Sequence, residues 1–432
     1  MDLSARDARV LWHPFTQAAT APPPLPVVAA EGAYLILEDG RRIFDGLSSW
    51  WSTLHGHGEP RIVEAIARQA ARLDHVLFAG CTHPPAVELA ERLVALAPAG
   101  LDRVFFSDDG STAVEVALKM AFQLHHDRGD RARRHFICLE GGYHGDTIGA
   151  MSAGDPRTFG EPFEPLLFPV TRVVPPLDRG ALDDGAPAED LSAALDVLDA
   201  AFDAQPGAVA AVVVEPMVQG AAGMRMMPAA YLRAVRERCD AHGALLIADE
   251  VMTGFGRTGR DFAVQHAGIT PDLLCLSKAL TGGTLPLAAT LAPAVVHDAF
   301  LHEDMRRGFL HGHTFTANPI ACAAANASLA IGGSLERVAT FERFYAERLP
   351  VFQATRGVAK VRYRGSIGVV ELEGGPEGYY HPVGPRIQRA MLERGYLVRP
   401  LGPVIYALPP LCATIDELAA LFDGLEAVID GL

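Results

Sequence analysis

Lysine is nearly missing from this 432-residue chain. Only Lys119, Lys278 and Lys360 occur, while arginine supplies every other cationic side chain apart from histidine. Arginine replaces lysine where charge alone is needed, but not where an amine must shed its proton and attack a carbonyl. Any such chemistry is thereby confined to three positions. Other scarcities exclude whole classes. The six cysteines (Cys81, Cys138, Cys239, Cys275, Cys322 and Cys412) are scattered, with no Cys-x-x-Cys and no Cys/His spacing suited to a metal. A reduced, cytoplasmic protein without a metal centre is expected. No apolar run is long enough to span a bilayer, and residues 1–9 have mixed charge and no apolar signal core. The net charge of −15 argues against a general affinity for nucleic acid or an anionic membrane surface.

What is present is an α/β pattern. The length exceeds what one core usually supports, and 49% hydrophobic residues suffice for more than one. Three regions are expected: an N-terminal segment over 1–60, a large domain over 61–334 and a smaller α+β module over 335–432. In the first, residues 33–37 and 42–44 flank Glu38-Asp-Gly40 and predict a hairpin. In the middle, apolar stretches at Arg103–Ser107, His135–Leu139, Val209–Val214, 244–248 and Leu273–Leu276 alternate with helical patterns at 112–125 and Ala229–His242, the latter stopped by Gly243. Continuous apolar strands between helices predict a mostly parallel sheet covered on both faces. Residues 178–190 read as a surface insertion. The last region predicts helices at 335–348, 386–394 and 414–429, and strands at Ile367–Leu372, 397–399 and 405–408.

Ligands in such sheets sit beyond the carboxyl ends of the strands, and several polar residues fall there. Lys278 follows Leu273–Leu276 and precedes Gly282-Gly283, which places the one suitably located amine at a sheet edge. An amine there can form a Schiff base with a carbonyl cofactor. Asp249 closes the strand at 244–248, and a buried acid needs a cationic partner, which a cofactor pyridinium would supply. Asp108-Asp-Gly-Ser-Thr112 lies between strand and helix. Gly110 permits close backbone approach, Ser111 and Thr112 are expected to cap the helix, and a helix N-terminus suits a phosphate, although most such turns are only caps. Gly141-Gly-Tyr-His-Gly-Asp146 places Tyr143 at another strand end, where its ring can stack on a planar group or simply pack. Glu215 follows Val209–Val214 and reads as a surface acid, or as a residue that meets substrate or holds an arginine. The histidines of His311-Gly-His-Thr-Phe-Thr316 lack metal spacing, and Thr314 offers a hydroxyl to a phosphate. Lys119 is expected within a helix, facing solvent or a carboxylate.

Taken together, these residues resemble the class III aminotransferases, which are pyridoxal-phosphate enzymes of fold type I. The resemblance runs through residues 107–119, 142–147, 215–227, 245–259, 272–283 and 312–319. It implies a large domain with a mostly parallel seven-stranded sheet between helices, a smaller α+β domain, pyridoxal 5′-phosphate as cofactor and a homodimer with shared active sites. By the same resemblance Lys278 carries the cofactor and shuttles the proton, Asp249 pairs with the pyridine nitrogen and Tyr143 stacks on the ring. Gly110 and Ser111 hold the phosphate, with Thr314 reaching it from a partner subunit, beside Gly312. Phe15, Trp50 and Tyr143 line a channel, Arg399 binds a substrate carboxylate, and Asp146 and Arg257 stand near its mouth.

Finer features are similar to the branch that aminates 8-amino-7-oxononanoate in biotin synthesis with S-adenosylmethionine as donor. These features are Leu11-Trp-His-Pro-Phe-Thr-Gln17, Ser48-Ser-Trp-Trp51, Gly220-Ala-Ala-Gly-Met-Arg-Met226 and Arg399-Pro-Leu-Gly402. Phe15 stands where many of that branch carry Tyr, and Leu401 where some carry an aromatic. Both changes bear on the choice of donor. A transaminase for ω-amino acids or diamines, and a mutase or decarboxylase on the same scaffold, are the alternative readings.

Overall fold

The computed structural model describes residues 2–176, 188–374 and 378–432. Most of the insertion expected at 178–190 lies outside the described residues. The central sheet has seven strands: β1 (Arg103–Ser107), β2 (His135–Leu139), β3 (Thr171–Val173), β4 (Val209–Val214), β5 (Leu245–Asp249), β6 (Leu273–Leu276) and β7 (Ala288–Ala292). Their order is β1-β7-β6-β5-β4-β2-β3. Only β7 opposes its neighbours, pairing antiparallel with both β6 and β1. The expected mostly parallel sheet is therefore present.

Side-chain alternation explains why these strands are apolar throughout. On one face Ala211, Val213, Ile247, Leu273 and Cys275 pack with Ala113, Val114, Ala117 and Ala121 of the helix Gly110–Asp127. On the other, Val212, Val214, Leu246, Ala248, Leu274 and Leu276 pack with Leu232 and Val235 of the helix Ala229–His242. Every residue of β4 is buried, as a strand covered by helices on both faces requires. Two strands escape a sequence reading. β7 is Ala-Ala-Thr-Leu-Ala, of weak intrinsic strand preference, and its burial between β1 and β6 decides its conformation. β3 is only three residues long.

One local expectation needs correction. The helix Gly110–Asp127 is capped by Asp109, not by Ser111 or Thr112. Asp109 Oδ1 accepts the Thr112 N–H at 2.9 Å, and Thr112 returns a bond to the Asp109 N–H at 3.0 Å, completing a capping box. Gly110 and Ser111 thus form the first helical turn, whose N–H groups lack intrahelical partners.

The N-terminal hairpin forms as expected from Tyr34–Leu37 and Arg42–Asp45. Tyr396–Leu397, from the far end of the chain, joins it parallel to Arg42–Asp45. The C-terminal module adds an antiparallel sheet of Val358–Arg364, Ile367–Leu372 and Val404–Ala407, packed under the helices Ser334–Phe352 and Ile415–Asp430. Val358–Arg364 was not expected as a strand, because Lys360, Arg362 and Arg364 interrupt its apolar residues, yet Arg362 is buried, with Nη1 donating to Glu371 Oε2 at 2.6 Å. Among the described residues, no helix is long and apolar enough to cross a membrane.

The chain from Lys278 to Gly283 interlocks with the N-terminal segment. A Cβ at Gly283 would lie 2.5 Å from the Ser52 carbonyl carbon and the Thr53 nitrogen, and its φ is +81°. Gly283→Ala should cost at least the ~1–3 kcal/mol of forcing a side chain into this backbone region. The expected readout is a lowered melting temperature in scanning fluorimetry, together with a displaced Lys278 and reduced turnover.

Candidate active site

Five strand ends build one cavity. Beyond β1 stand Gly110 and Ser111, beyond β2 Tyr143, His144 and Asp146, and beyond β4 Glu215. Asp249 ends β5, and Lys278 follows β6. Parallel strands bring these ends to the same edge, so residues far apart in sequence converge. The cavity has a volume of about 670 Å³ and is also lined by Phe15, Trp50, Trp51, Phe159, Tyr379, Arg399 and Tyr406.

Lys278 is half-buried because its side chain faces the cavity. The surrounding walls still strip most water from the amine. Burial pulls its pKa below the ordinary lysine value, although the charges of Asp249 and Glu215 oppose the shift. Such an amine loses its proton more readily than a solvated one. Its Nζ lies 5.1 Å from the centre of the Trp51 ring. The backbone at Lys278 has φ +44°, an uncommon conformation for a residue with a side chain.

Asp249 is buried at the end of β5. Its Oδ1 accepts the Val251 N–H at 3.0 Å, and its Oδ2 meets His144 Nδ1 at 2.7 Å. Burial would push His144 towards its neutral form, but the bond and charge of Asp249, aided by Glu215, outweigh this and raise its pKa. His144 belongs to the Tyr143 motif but was not singled out from sequence, since nothing local shows that it reaches Asp249. Glu215 is no surface acid. It is buried and accepts the N–H groups of Tyr143 at 2.9 Å and Gly220 at 3.0 Å. Burial pushes its carboxyl up to about 7.

Arg399 lines the same cavity, lies 4.7 Å above the Trp50 ring, and donates from Nη2 to the Tyr379 hydroxyl at 3.3 Å. Phe15 packs edge-on against Trp50 at 5.6 Å and against Phe159 at 5.1 Å. The Tyr143 hydroxyl donates to Asp146 Oδ2 at 3.0 Å. The cavity is therefore lined by aromatic rings, with an amine, a carboxylate and a guanidinium all opening on it.

Three expected site residues lie elsewhere. Gly312 and Thr314 are exposed and do not line this cavity within one chain. Arg257 is not at a mouth. It is fully buried behind the Trp50–Trp51 turn, with Nη1 donating to the Pro409 carbonyl at 3.3 Å. Its loop is drawn inward because Glu250 accepts from Ala263 N, Val264 N and the Thr253 hydroxyl. Lys119 is exposed on the helix Gly110–Asp127, as expected, with its Nζ 2.9 Å from His311 Nδ1. His313 Nδ1 lies 3.3 Å from Asp108.

The residues present fit a pyridine aldehyde phosphate. A partly desolvated amine, a buried carboxylate beside it and a helix N-terminus all open on one cavity. A Cβ at Gly110 would meet Val251 at 2.6 Å, so only glycine leaves the first turn free there. Fold and site together define a pyridoxal-phosphate enzyme of fold type I. Residues 15–429 match the profile of the class III aminotransferases, and the chain belongs to that family. An adenosylmethionine-8-amino-7-oxononanoate aminotransferase from Synechococcus elongatus is 50% identical over 400 residues, covering 92% of this chain and 93% of the relative. The crystal structure of the enzyme of that name from Methanocaldococcus jannaschii superposes with a TM-score of 0.92 at 36% identity, covering 99% of this chain and 98% of that one. A PLP-bound amine transaminase from an uncultivated Pseudomonas species gives 0.89 at 34% identity, covering 97% and 98%. The protein is a pyridoxal-phosphate-dependent aminotransferase.

The raised pKa of Glu215 carries a pH signature. The folded protein holds this proton more tightly than the unfolded chain. The associated stability is fully present at acid pH and is lost as pH rises from the ordinary carboxylate range through about 7. Glu215→Gln should therefore reduce the fall in melting temperature of the cofactor-free protein between about pH 5 and about pH 8. Glu250, also raised to about 7 by burial, should retain its own share of that fall.

Proposed function

We propose that this enzyme transfers an amino group to 8-amino-7-oxononanoate, forming 7,8-diaminononanoate in biotin synthesis, with S-adenosylmethionine as donor. The observation that carries this reading is the channel itself. Phe15, Trp50 and Tyr143 line it together with the Lys278 amine, the Asp249 carboxylate and the Arg399 guanidinium, a set that suits a long apolar acceptor with a terminal carboxylate. The relatives bearing that enzyme's name support it.

When bound, pyridoxal phosphate supplies the electrophilic carbon that takes the donor amine and the ring that accepts its electron pair. The chain does the rest. Lys278 Nζ would hold the cofactor and, once released by the donor amine, would serve as the group that moves the proton, a role that its lowered pKa favours. Asp249 holds the ring nitrogen protonated, with His144 fixing the carboxylate. Gly110 and Ser111 would hold the phosphate, and Tyr143 would stack on the ring. Asp146 orients the Tyr143 hydroxyl. Arg399 takes the acceptor's carboxylate, so the reacting carbonyl is set at the lysine end. The enzyme works as a cytoplasmic homodimer, in which Gly312 and Thr314 complete the site of the neighbouring subunit. Their exposed segment carries Leu310 and Phe315, apolar side chains suited to an interface.

The amine-transaminase likeness makes a small-amine donor the competing reading. Incubating the cofactor-loaded enzyme separately with S-adenosylmethionine, lysine and a simple amine, and following the loss of the lysine-linked chromophore, separates them. Only the first is expected to react at a rate supporting turnover. Lys278→Ala should abolish that chromophore and slow transamination by at least about 10²-fold from proton transfer alone. Arg399→Ala should raise KM for the acceptor by roughly 10- to 100-fold, the loss of one charged hydrogen-bonding partner, with a smaller effect on a simple amine.

A further inference from the structure

Trp50 and Trp51 sit on a strained turn. Ser48, Ser49 and Trp51 all have positive φ, of 50°, 60° and 66°. Ser49, at φ 60° and ψ −77°, is near the rare γ-turn conformation with positive φ, and Trp50 follows at φ −138° and ψ 60°. A residue with a side chain adopts such angles only when its surroundings dictate them, at a cost of order 1–3 kcal/mol.

Besides the Ser48 hydroxyl, which donates to the Leu408 carbonyl at 2.7 Å, one acidic side chain grips this turn. Asp45 is fully buried at the end of Arg42–Asp45. Its Oδ2 accepts from the Ser49 N–H at 2.7 Å, the Ser49 hydroxyl at 3.1 Å and His57 Nε2 at 2.9 Å. Its Oδ1 accepts the Leu47 N–H at 3.1 Å. Two of these four bonds end on the strained residue itself. Near it lies Arg257, whose Nε and Nη2 find no hydrogen-bond partner among the described residues; burial pulls its pKa down to about 9, and the charge of Asp45 opposes that shift. The turn in turn sets both indoles: Trp50 stacks on Arg399, and Trp51 packs against Lys278 while donating to the Tyr406 hydroxyl at 2.9 Å.

We propose that Asp45 is a positioning residue for the substrate channel, holding Ser49 in its strained conformation and so fixing Trp50 against Arg399 and Trp51 against Lys278. Asp45 touches neither substrate nor cofactor. It acts through the turn, and its effect falls on acceptor binding more than on proton transfer. This rests on reading the cavity as the channel for a long carboxylate-bearing acceptor.

Asp45→Asn preserves size but leaves one accepting oxygen in place of two. In a Trp12→Phe background, where Trp50 and Trp51 are the only indoles, the holoenzyme should show red-shifted emission and stronger acrylamide quenching. KM for 8-amino-7-oxononanoate should rise about tenfold with kcat within about twofold, the pattern of lost binding rather than lost chemistry. Adding Ser49→Gly should restore part of the affinity, because glycine takes positive φ without the penalty of a Cβ. A folded Asp45→Asn enzyme with unchanged emission and KM overturns the proposal. So does a parallel loss of kcat and cofactor affinity with unchanged emission, the mark of a merely structural residue. If Asp45→Asn does not fold, Ser49→Ala, which deletes the hydroxyl bond alone, should give the same pattern at about threefold, and its absence is equally decisive. If the unaltered enzyme fails to aminate the acceptor, the substrate reading falls, while the emission measurements still test Asp45.

Discussion

Lys278 projects its amine into a cavity where water is scarce and where Asp249 and Glu215 supply the nearby negative charge. Burial pulls the pKa of the amine down, and the two carboxylates oppose that shift. The balance needs both acids at the same sheet edge as the lysine. The parallel run of β4, β5 and β6 provides it, because each of these strands delivers its next residues to one side. Asp249 then needs its own support, which comes from His144 across β4 on the far side of the sheet order. Four chain segments thus determine one proton-transfer site.

Strain collects around the same cavity. Phe15, Trp51 and Lys278 all line it and all have positive φ without being glycine. Such backbone persists where the surroundings over-determine it. Here they do so from two directions. Gly283 locks the Lys278 segment onto Ser52 and Thr53. The Ser48 hydroxyl and the Trp51 indole tie the aromatic turn to Leu408 and Tyr406 of the C-terminal module. The channel is therefore a joint product of the chain's beginning, middle and end. That explains why Arg257, legible in sequence only as a member of a motif, stands behind this turn rather than at an entrance.

Much of the core was readable along the chain. Continuous apolar stretches marked β1, β2, β4, β5 and β6, and the residues just past them marked Lys278, Asp249, Tyr143, Gly110 and Ser111. Those signals are local, since a strand that is apolar at every position must be covered twice and its end must meet solvent or ligand. The failures were equally physical. β7 is a strand because it is wedged between β6 and β1, not because alanine prefers extended backbone. Asp109 displaced Ser111 and Thr112 as the cap because its carboxylate reaches the Thr112 N–H. His144, Glu215 and Arg257 each took a role set by a partner more than 70 residues away.

From the chain alone came the class of chemistry. One amine at a strand end, among three lysines, together with an acid closing the neighbouring strand, determined a Schiff-base site and its family resemblance, because nucleophile and electron-sink partner are properties of residue type and strand position. Tertiary structure alone decided how that chemistry is held and aimed. The depressed lysine pKa, the His144–Asp249 pair, the Trp50–Arg399 stack and the grip of Asp45 on Ser49 all depend on distances between residues remote in sequence. Electrostatics and packing act through space, and only the folded chain sets those separations.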